Sequence, residues 1–303
     1  FLQRQRAFDG AQFVQTLVFG WLANLRATTD DLVAMAAELG VTISAPGLCQ
    51  RFTDTAVACL HTVLQAALAQ VIAAEPLAIP LLARFPAVLV HDCTTICLPD
   101  ALATQFRGCG GSHGRVAAAL KAHLRLELRT GQLEGPLLQD GRAHDRAVAF
   151  GRRPPTGALV VRDLGFFQLD DLAADQRDGR HWLSRLKPQT AVFVAGKRVA
   201  LTAFLATYGD APVDVMVTIG AQQRLPCRLL AVRVPQEVAD QRRRRKQKEA
   251  RDKGYRLRAE CLALCDWTVL ITTVEAEHLT LAEAVVLLKL RWQNELLIKL
   301  WKS

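Results

Sequence analysis

Two short apolar runs, each giving way to an aspartate, constrain this chain more than any other feature. Residues 87–98, AVLVHDCTTICL, open as an unbroken apolar run and turn polar at His91, Asp92, Thr94 and Thr95. Residues 158–162, ALVVR, are as apolar and are followed by Asp163, Leu164, Gly165 and Phe166. Runs this short and this rich in β-branched residues predict buried strands, so each strand delivers a carboxylate to its end. If the two strands are neighbours in one sheet, the acids stand side by side. Taken singly, Asp92 is as readily a turn or bulge aspartate.

The segments around these strands give the rest of the frame. In residues 122–138, AHLRLELRTGQLEGPLL, Leu124, Leu126 and Leu128 alternate with Arg125, Glu127 and Arg129 ahead of a Thr-Gly turn, which predicts a hairpin with one buried face. Residues 140–153 read as a short basic helix whose Asp140, His144 and Asp145 are capping and solvated groups, with a metal cluster the less favoured reading. Residues 169–179 predict a helix, with Asp170 and Asp171 at its positive end, and residues 181–187 a strand. From about 190 to 255 short β-rich runs bounded by Gly and Pro suggest an inserted β region. The run Arg242–Lys253 is either a solvated helix or a basic prong for phosphates. Residues 265–274 read as a strand, and a long helix starts at about Leu279.

That helix carries the second constellation. At helical period Arg291, Glu295 and Lys302 fall on one stripe, a carboxylate between two cations. Ion pairing on an amphipathic helix explains such a stripe when it stands alone. Upstream, residues 13–83 are helical in pattern, and within them a helix over 31–39 ends at Gly40 while Ser44 is placed to cap a second helix running through Leu48 and Phe52. The pair, carrying Gln50 and Arg51, reads as a DNA-reading helix-turn-helix or as an ordinary helical hairpin.

Net charge narrows the partners. The chain of 303 residues carries a formal charge of +9, with a pI near 9.4, which favours a polyanion such as nucleic acid. The most apolar stretch, residues 57–74, is broken by His61, Gln65 and Gln70, so no membrane span is expected. No secretory leader pattern is visible, which points to the cytoplasm. The eight cysteines lack paired C-x-x-C spacing and read as reduced, mostly buried thiols; Cys109 and His113 are the nearest approach to metal-ligand spacing. The chain starts at Phe1 and stops one residue after Lys302, as a trimmed fragment would.

Asp92 in Asp-Cys-Thr-Thr, Asp163 in Asp-Leu-Gly-Phe, the β-rich insertion and Arg-x3-Glu-x6-Lys on a late helix together resemble a DDE transposase. They are similar in particular to the IS-four family of bacterial insertion sequences, whose signature is Tyr-x2-Arg-x3-Glu-x6-Lys. Arg291, Glu295 and Lys302 match that spacing, whereas the tyrosine position holds Leu288. The resemblance spans about residues 88–302.

The resemblance implies an α/β fold: an RNase H-like mixed-sheet catalytic core with a β-rich insertion and an N-terminal helical domain. The expected division is 1–85 helical, 86–189 the first part of the core, 190–264 the insertion with its basic helix, and 265–303 the last core strand and the Glu-bearing helix. Asp92, Asp163 and Glu295 are then catalytic and hold two Mg2+ ions, for which Mn2+ can substitute. Two such ions bridged by carboxylates activate the attacking oxygen and stabilise the leaving one. Arg291 and Lys302 hold phosphates, with Lys121, His123, Arg185 and the run Arg242, Arg243, Arg244 and Arg245 as further DNA contacts. Trp292 reads as a buried helix residue before a base-stacking one. The expected function is a transposase that binds mobile-element ends and performs metal-dependent strand cleavage and strand transfer. Its partners are double-stranded DNA, as terminal repeats and target, and a second copy in a nucleoid-associated homodimer. The competing readings are an RNase H-like nuclease that cuts without joining and a non-catalytic DNA-binding protein.

Overall fold

The computed structural model describes residues 8–24, 26–71, 79–108, 117–143 and 150–290. The chain divides into two compact units, 1–73 and 74–303.

In the first unit, α1 (Gly10–Ala23), α2 (Thr29–Glu38), α3 (Ala45–Cys49) and α4 (Asp54–Val71) follow one another. Asp9 with Gln12, and Thr28 with Asp31, form capping boxes that satisfy the first N–H groups of α1 and α2. Gly40 at φ 78° ends the α2 turn, and the Ser44 hydroxyl accepts from Gly47 N–H at the start of α3, as the sequence predicts. The second helix of the expected pair is shorter than predicted. It stops at Cys49, because a turn through Phe52 and Thr53 starts α4 at once. Arg51 lies over the Phe8 ring, 5.0 Å from its centre. Phe13, Leu17, Leu32, Ala36 and Leu48 are buried together in the core of this unit.

The second unit opens with α5 (Pro80–Ala83) and then enters the sheet. Leu82 and Phe85 are buried against sheet residues, so α5 belongs to this unit although sequence texture groups it with the helices before it. The strands are β1 (Val88–Leu98), β2 (Ala118–Glu127), β3 (Leu133–Asp140), β4 (Leu159–Arg162) and, after α6 (Leu169–Arg177), β5 (His181–Arg185). β1, β2 and β3 form an antiparallel meander, and β4 and then β5 add parallel to β1. The order β3-β2-β1-β4-β5 is the RNase H-like arrangement. Where a basic helix was expected after β3, Gly141–Ala143 form a turn and the described residues 150–158 carry no helix; Pro154 and Pro155 fall within them.

The remaining elements are β6 (Val192–Val194), β7 (Lys197–Val199), α7 (Leu201–Ala206), β8 (Val213–Ile219), β9 (Leu225–Arg233), α8 (Gln236–Lys253), α9 (Ala259–Ala263), β10 (Trp267–Thr272) and α10 (Leu281–Leu290). The inserted strands are not a separate sheet. β10 pairs antiparallel with both β5 and β9, and β8, β6 and β7 follow, so a single ten-stranded sheet runs from β3 to β7.

Each sheet face has its own core. Val88, Val90, Leu159, Val161, Leu183, Leu230 and Leu270 pack with Ala284, Leu287 and Leu288 of α10 and with α5. Trp182, Cys227, Leu229 and Ile271 point the other way, where Leu172 of α6 and Leu205 of α7 complete a second cluster. Burial pushes the Cys227 thiol up to about 12, so it stays a neutral apolar group there.

Candidate active site

β1, β4 and β5 are adjacent and parallel, so residues in register point to the same face. Val90 pairs with Val161, and Val161 with Leu183, making a buried apolar row across the three strands. Two residues further along each strand, on the same face, stand Asp92, Asp163 and Arg185. Asp163 follows the last residue of β4 with φ −81° and ψ 166°, so the chain is still extended there. Neighbouring strands lie about 4.8 Å apart, which puts the two aspartates side by side and Arg185 next to Asp163.

Asp92 is half-buried, and its Oδ1 accepts from the Cys93 N–H at 2.9 Å. Asp163 is also half-buried and leads into a 3-10 turn over Leu164–Phe166 without capping it through its side chain. Its strand is held from the opposite face. Arg162 donates to the buried carboxylate of Asp175 on α6, which also accepts from Arg180 Nε at 3.0 Å, just ahead of β5. This bridge ties together the strand–helix–strand unit that fixes Asp163 and Arg185.

α10 packs on the face that bears the aspartates, through Ala284, Leu287 and Leu288. Leu288, at the position where the resembling signature has tyrosine, is 5% exposed and part of the core. Two arginines fix where this helix begins. Arg84 makes a two-pronged ion pair with Glu283 at 2.9 and 2.8 Å and donates to His278 O at 3.0 Å. Glu283 in turn closes a capping box with Thr280. Arg228 on β9 is 6% exposed; it donates to Val274 O at 2.7 Å and Leu279 O at 2.9 Å while paired with Asp214. Neither arginine stands out in the sequence, because their partners are 14 to 199 residues away.

The other expected residues fall as follows. Arg291, Glu295 and Lys302 lie outside the described residues, as do Trp292, Cys109, His113, His144 and Asp145. Lys121 stands on the face opposite the aspartates, where its ammonium donates to Ala143 O at 2.7 Å. His123 shares that face, is fully buried and lies 3.4 Å from the His91 ring nitrogen, so as placed it cannot reach a DNA surface. Arg185 is exposed at the end of its strand. The four arginines of α8 divide. Arg242 donates to Trp267 O at 3.0 Å and Thr268 Oγ1 at 3.1 Å, and Arg243 is paired with Asp240 and Asp266. Burial, and then the like charge of Arg185, hold the Arg242 guanidinium below the ordinary arginine value. Arg244 and Arg245 are exposed.

Among the described residues no three His, Cys, Asp or Glu side chains gather closely enough to hold a metal ion. The row supplies two, Asp92 and Asp163, and both offer only carboxylate oxygen, the donor type that hard divalent cations such as Mg2+ take. Also among the described residues, no helix is long and apolar enough to cross a membrane.

Comparison with known proteins adds the family. Residues 83–303 match the family described as "Transposase DDE domain". The whole chain aligns at 26% identity with 68% of "Transposase for insertion sequence element IS231E" of Bacillus thuringiensis subsp. finitimus. It aligns equally, at 26% over 68%, with "Transposase for insertion sequence element IS231F" of Bacillus thuringiensis subsp. israelensis. A more distant relative is "Transposase for insertion sequence element IS1151" of Clostridium perfringens, 22% identical over 72% of this chain and 50% of the relative.

Proposed function

The chain belongs to the transposase DDE domain family, and from that premise we propose that it binds DNA at the ends of a mobile element and catalyses metal-dependent cleavage and strand transfer. The observation that carries this reading is the row Asp92–Asp163–Arg185, each two residues beyond Val90, Val161 and Leu183, which are in register across three adjacent parallel strands. Asp92, within β1, and Asp163, just past the end of β4, supply the oxygen donors, and a cation on the next strand faces the same surface.

In this reading Asp92 and Asp163 hold divalent metal, with Glu295 as the third carboxylate. Glu295 lies outside the described residues; in sequence it follows Leu288 by seven and Ala284 by eleven, the spacing of one helical stripe. When bound, Mg2+ or Mn2+ supplies an activated attacking oxygen and stabilises the charge on the leaving one. The chain's own contribution is placement. Arg162 and Asp175 hold the strand that ends in Asp163. Arg84 and Arg228 set the start of α10. Arg185, with Arg291 and Lys302, neutralises phosphate so that DNA can approach a cluster of acids.

The test is cleavage of duplex carrying the element ends, in Mg2+, by Asp92→Asn and Asp163→Asn. Each asparagine keeps side-chain size and removes one metal-holding charge. Cleavage is expected to fall by at least about 100-fold, with DNA binding kept, since a lost electrostatic contribution of about 2.7 kcal/mol has that effect. Wild-type cleavage by either variant would remove the row from the active site.

A further inference from the structure

α8 carries basic residues around its whole circumference, but only part of that charge is used within the fold. On the inward side Ala239 and Ala250 are buried, Arg242 and Arg243 are bonded as described above, and Lys246 donates to Cys261 O at 3.3 Å. These positions fall within one sector at 100° per residue and seat the helix on the segment leading into β10. Arg244, Lys248 and Arg251, spaced i, i+4 and i+7, fall on the opposite sector and are all exposed, with Arg245 at its margin. The stripe keeps an excess of positive charge: Asp240 faces Arg243, Glu249 is paired with Lys253 at 2.7 Å, and Asp252 at the margin and Glu237, seven residues before Arg244 on the same sector, are two acids against three cations with Arg245 beside them.

We infer that Arg244, Lys248 and Arg251 form a docking surface for the phosphate backbone of duplex DNA. The inference rests on the DNA-binding function proposed above and deepens it by naming the surface. Its position supports the assignment. Arg242 donates to Trp267 O and Thr268 Oγ1 at the start of β10, whose Leu270 pairs with Arg185 of β5, so α8 is anchored on the strand next to the Arg185 end of the row. A duplex presented to the row has α8 within reach. The stripe spans about 10 Å along the helix axis, close to the rise over which one strand carries three phosphates. Contacts of this kind carry no sequence information; they hold the duplex in place.

Counterion release gives the test. Binding of the full chain to a fluorescent duplex of arbitrary sequence is measured across a salt series, and the slope of log affinity against log salt is compared between variants. Arg244→Gln/Lys248→Gln/Arg251→Gln is expected to flatten the slope by about 2–3 units, near 0.9 for each phosphate no longer neutralised. Arg244→Lys/Arg251→Lys keeps the charge and is expected to keep the slope. Arg244→Glu alone, a single exposed change that guards against loss of fold in the triple variant, is expected to weaken binding at low salt several-fold. A steep wild-type slope that the triple glutamine variant leaves unchanged overturns the inference while leaving DNA binding intact. A wild-type chain with no salt-dependent binding overturns the proposed function itself.

Discussion

Arg84, just past α5, grips Glu283 in the first turn of α10 with its two terminal guanidinium nitrogens, at 2.9 and 2.8 Å, although 199 residues separate them. The pair sets the angle at which α10 leaves its cap, and so bears on the helix expected to complete the active site.

The Arg84 guanidinium beside Glu283, helped by the Thr280 N–H, lowers the Glu283 carboxyl to about 2. A carboxyl depressed on folding stabilises the fold fully above its unfolded value, near 4.3, and loses that contribution as pH falls towards 2. Arg84→Gln is therefore expected to lower Tm by about 2–4 °C at pH 6. The gap to wild type should narrow below pH 4 and be lost as pH falls through about 2. Thermal melts across pH check this, and a gap that widened on acidification would contradict the assigned pair.

Arg228 and Asp214 make a stronger demand. Arg228 is buried but its partner Asp214 is exposed, so the cost of removing Arg228 falls chiefly on the carbonyls of Val274 and Leu279, which lose their donor. Arg228→Met is expected to cost about 1–3 kcal/mol in denaturant unfolding. Asp214→Asn in the same chain should add little to that loss, because the carboxylate is exposed to solvent and only its pairing with Arg228 is at stake. Additive losses would mean that the pair is not coupled.

What could be read in the sequence was local. The apolar runs leading to Asp92 and Asp163, the hairpin between them, α6 with Asp170 and Asp171 at its start, and a helix through the Arg242–Lys253 run follow from periodicity and punctuation, and the structure has them, although α8 already starts at Gln236 and β1 runs on past Asp92 to Leu98. Long-range pairing was not legible. β10 reads as a last core strand by texture, yet its hydrogen bonds to β9 and β5 fuse the insertion to the core in one sheet. Register was hidden too: that Val90 meets Val161, which brings the two acids level, is a property of neighbouring strands and not of either strand alone. The basic run of α8 shows the same limit, since Arg243 and Arg244 are adjacent in sequence and face opposite environments.

Leu288 allows a test of why the tyrosine of the resembling signature is absent. Its side chain is packed with Val90 and Val161 beneath the row. Leu288→Tyr has to fit a larger ring and a hydroxyl into a filled space, so it is expected to destabilise by about 1–3 kcal/mol. A neutral or stabilising change in equilibrium unfolding would mean that room for the ring already exists.

Glu295 separates catalysis from binding. Glutamine at this position keeps the side chain's size and removes the negative charge that would hold metal beside Asp92 and Asp163. It also relieves repulsion between an acid cluster and DNA phosphates, so binding should be unchanged or tighter. Glu295→Gln is expected to retain complexes with element-end DNA in a gel-shift assay and to lose strand cleavage in Mg2+, with partial recovery in Mn2+, which also accepts oxygen ligands. If Glu295 serves only as an ion-pair partner of Arg291, the same change costs about 0.2–0.5 kcal/mol of stability and leaves cleavage intact. The two outcomes differ in kind as well as size. Cleavage at the wild-type rate by the folded variant would reduce the site to two aspartates and reassign the Arg-x3-Glu-x6-Lys stripe to helix stability alone.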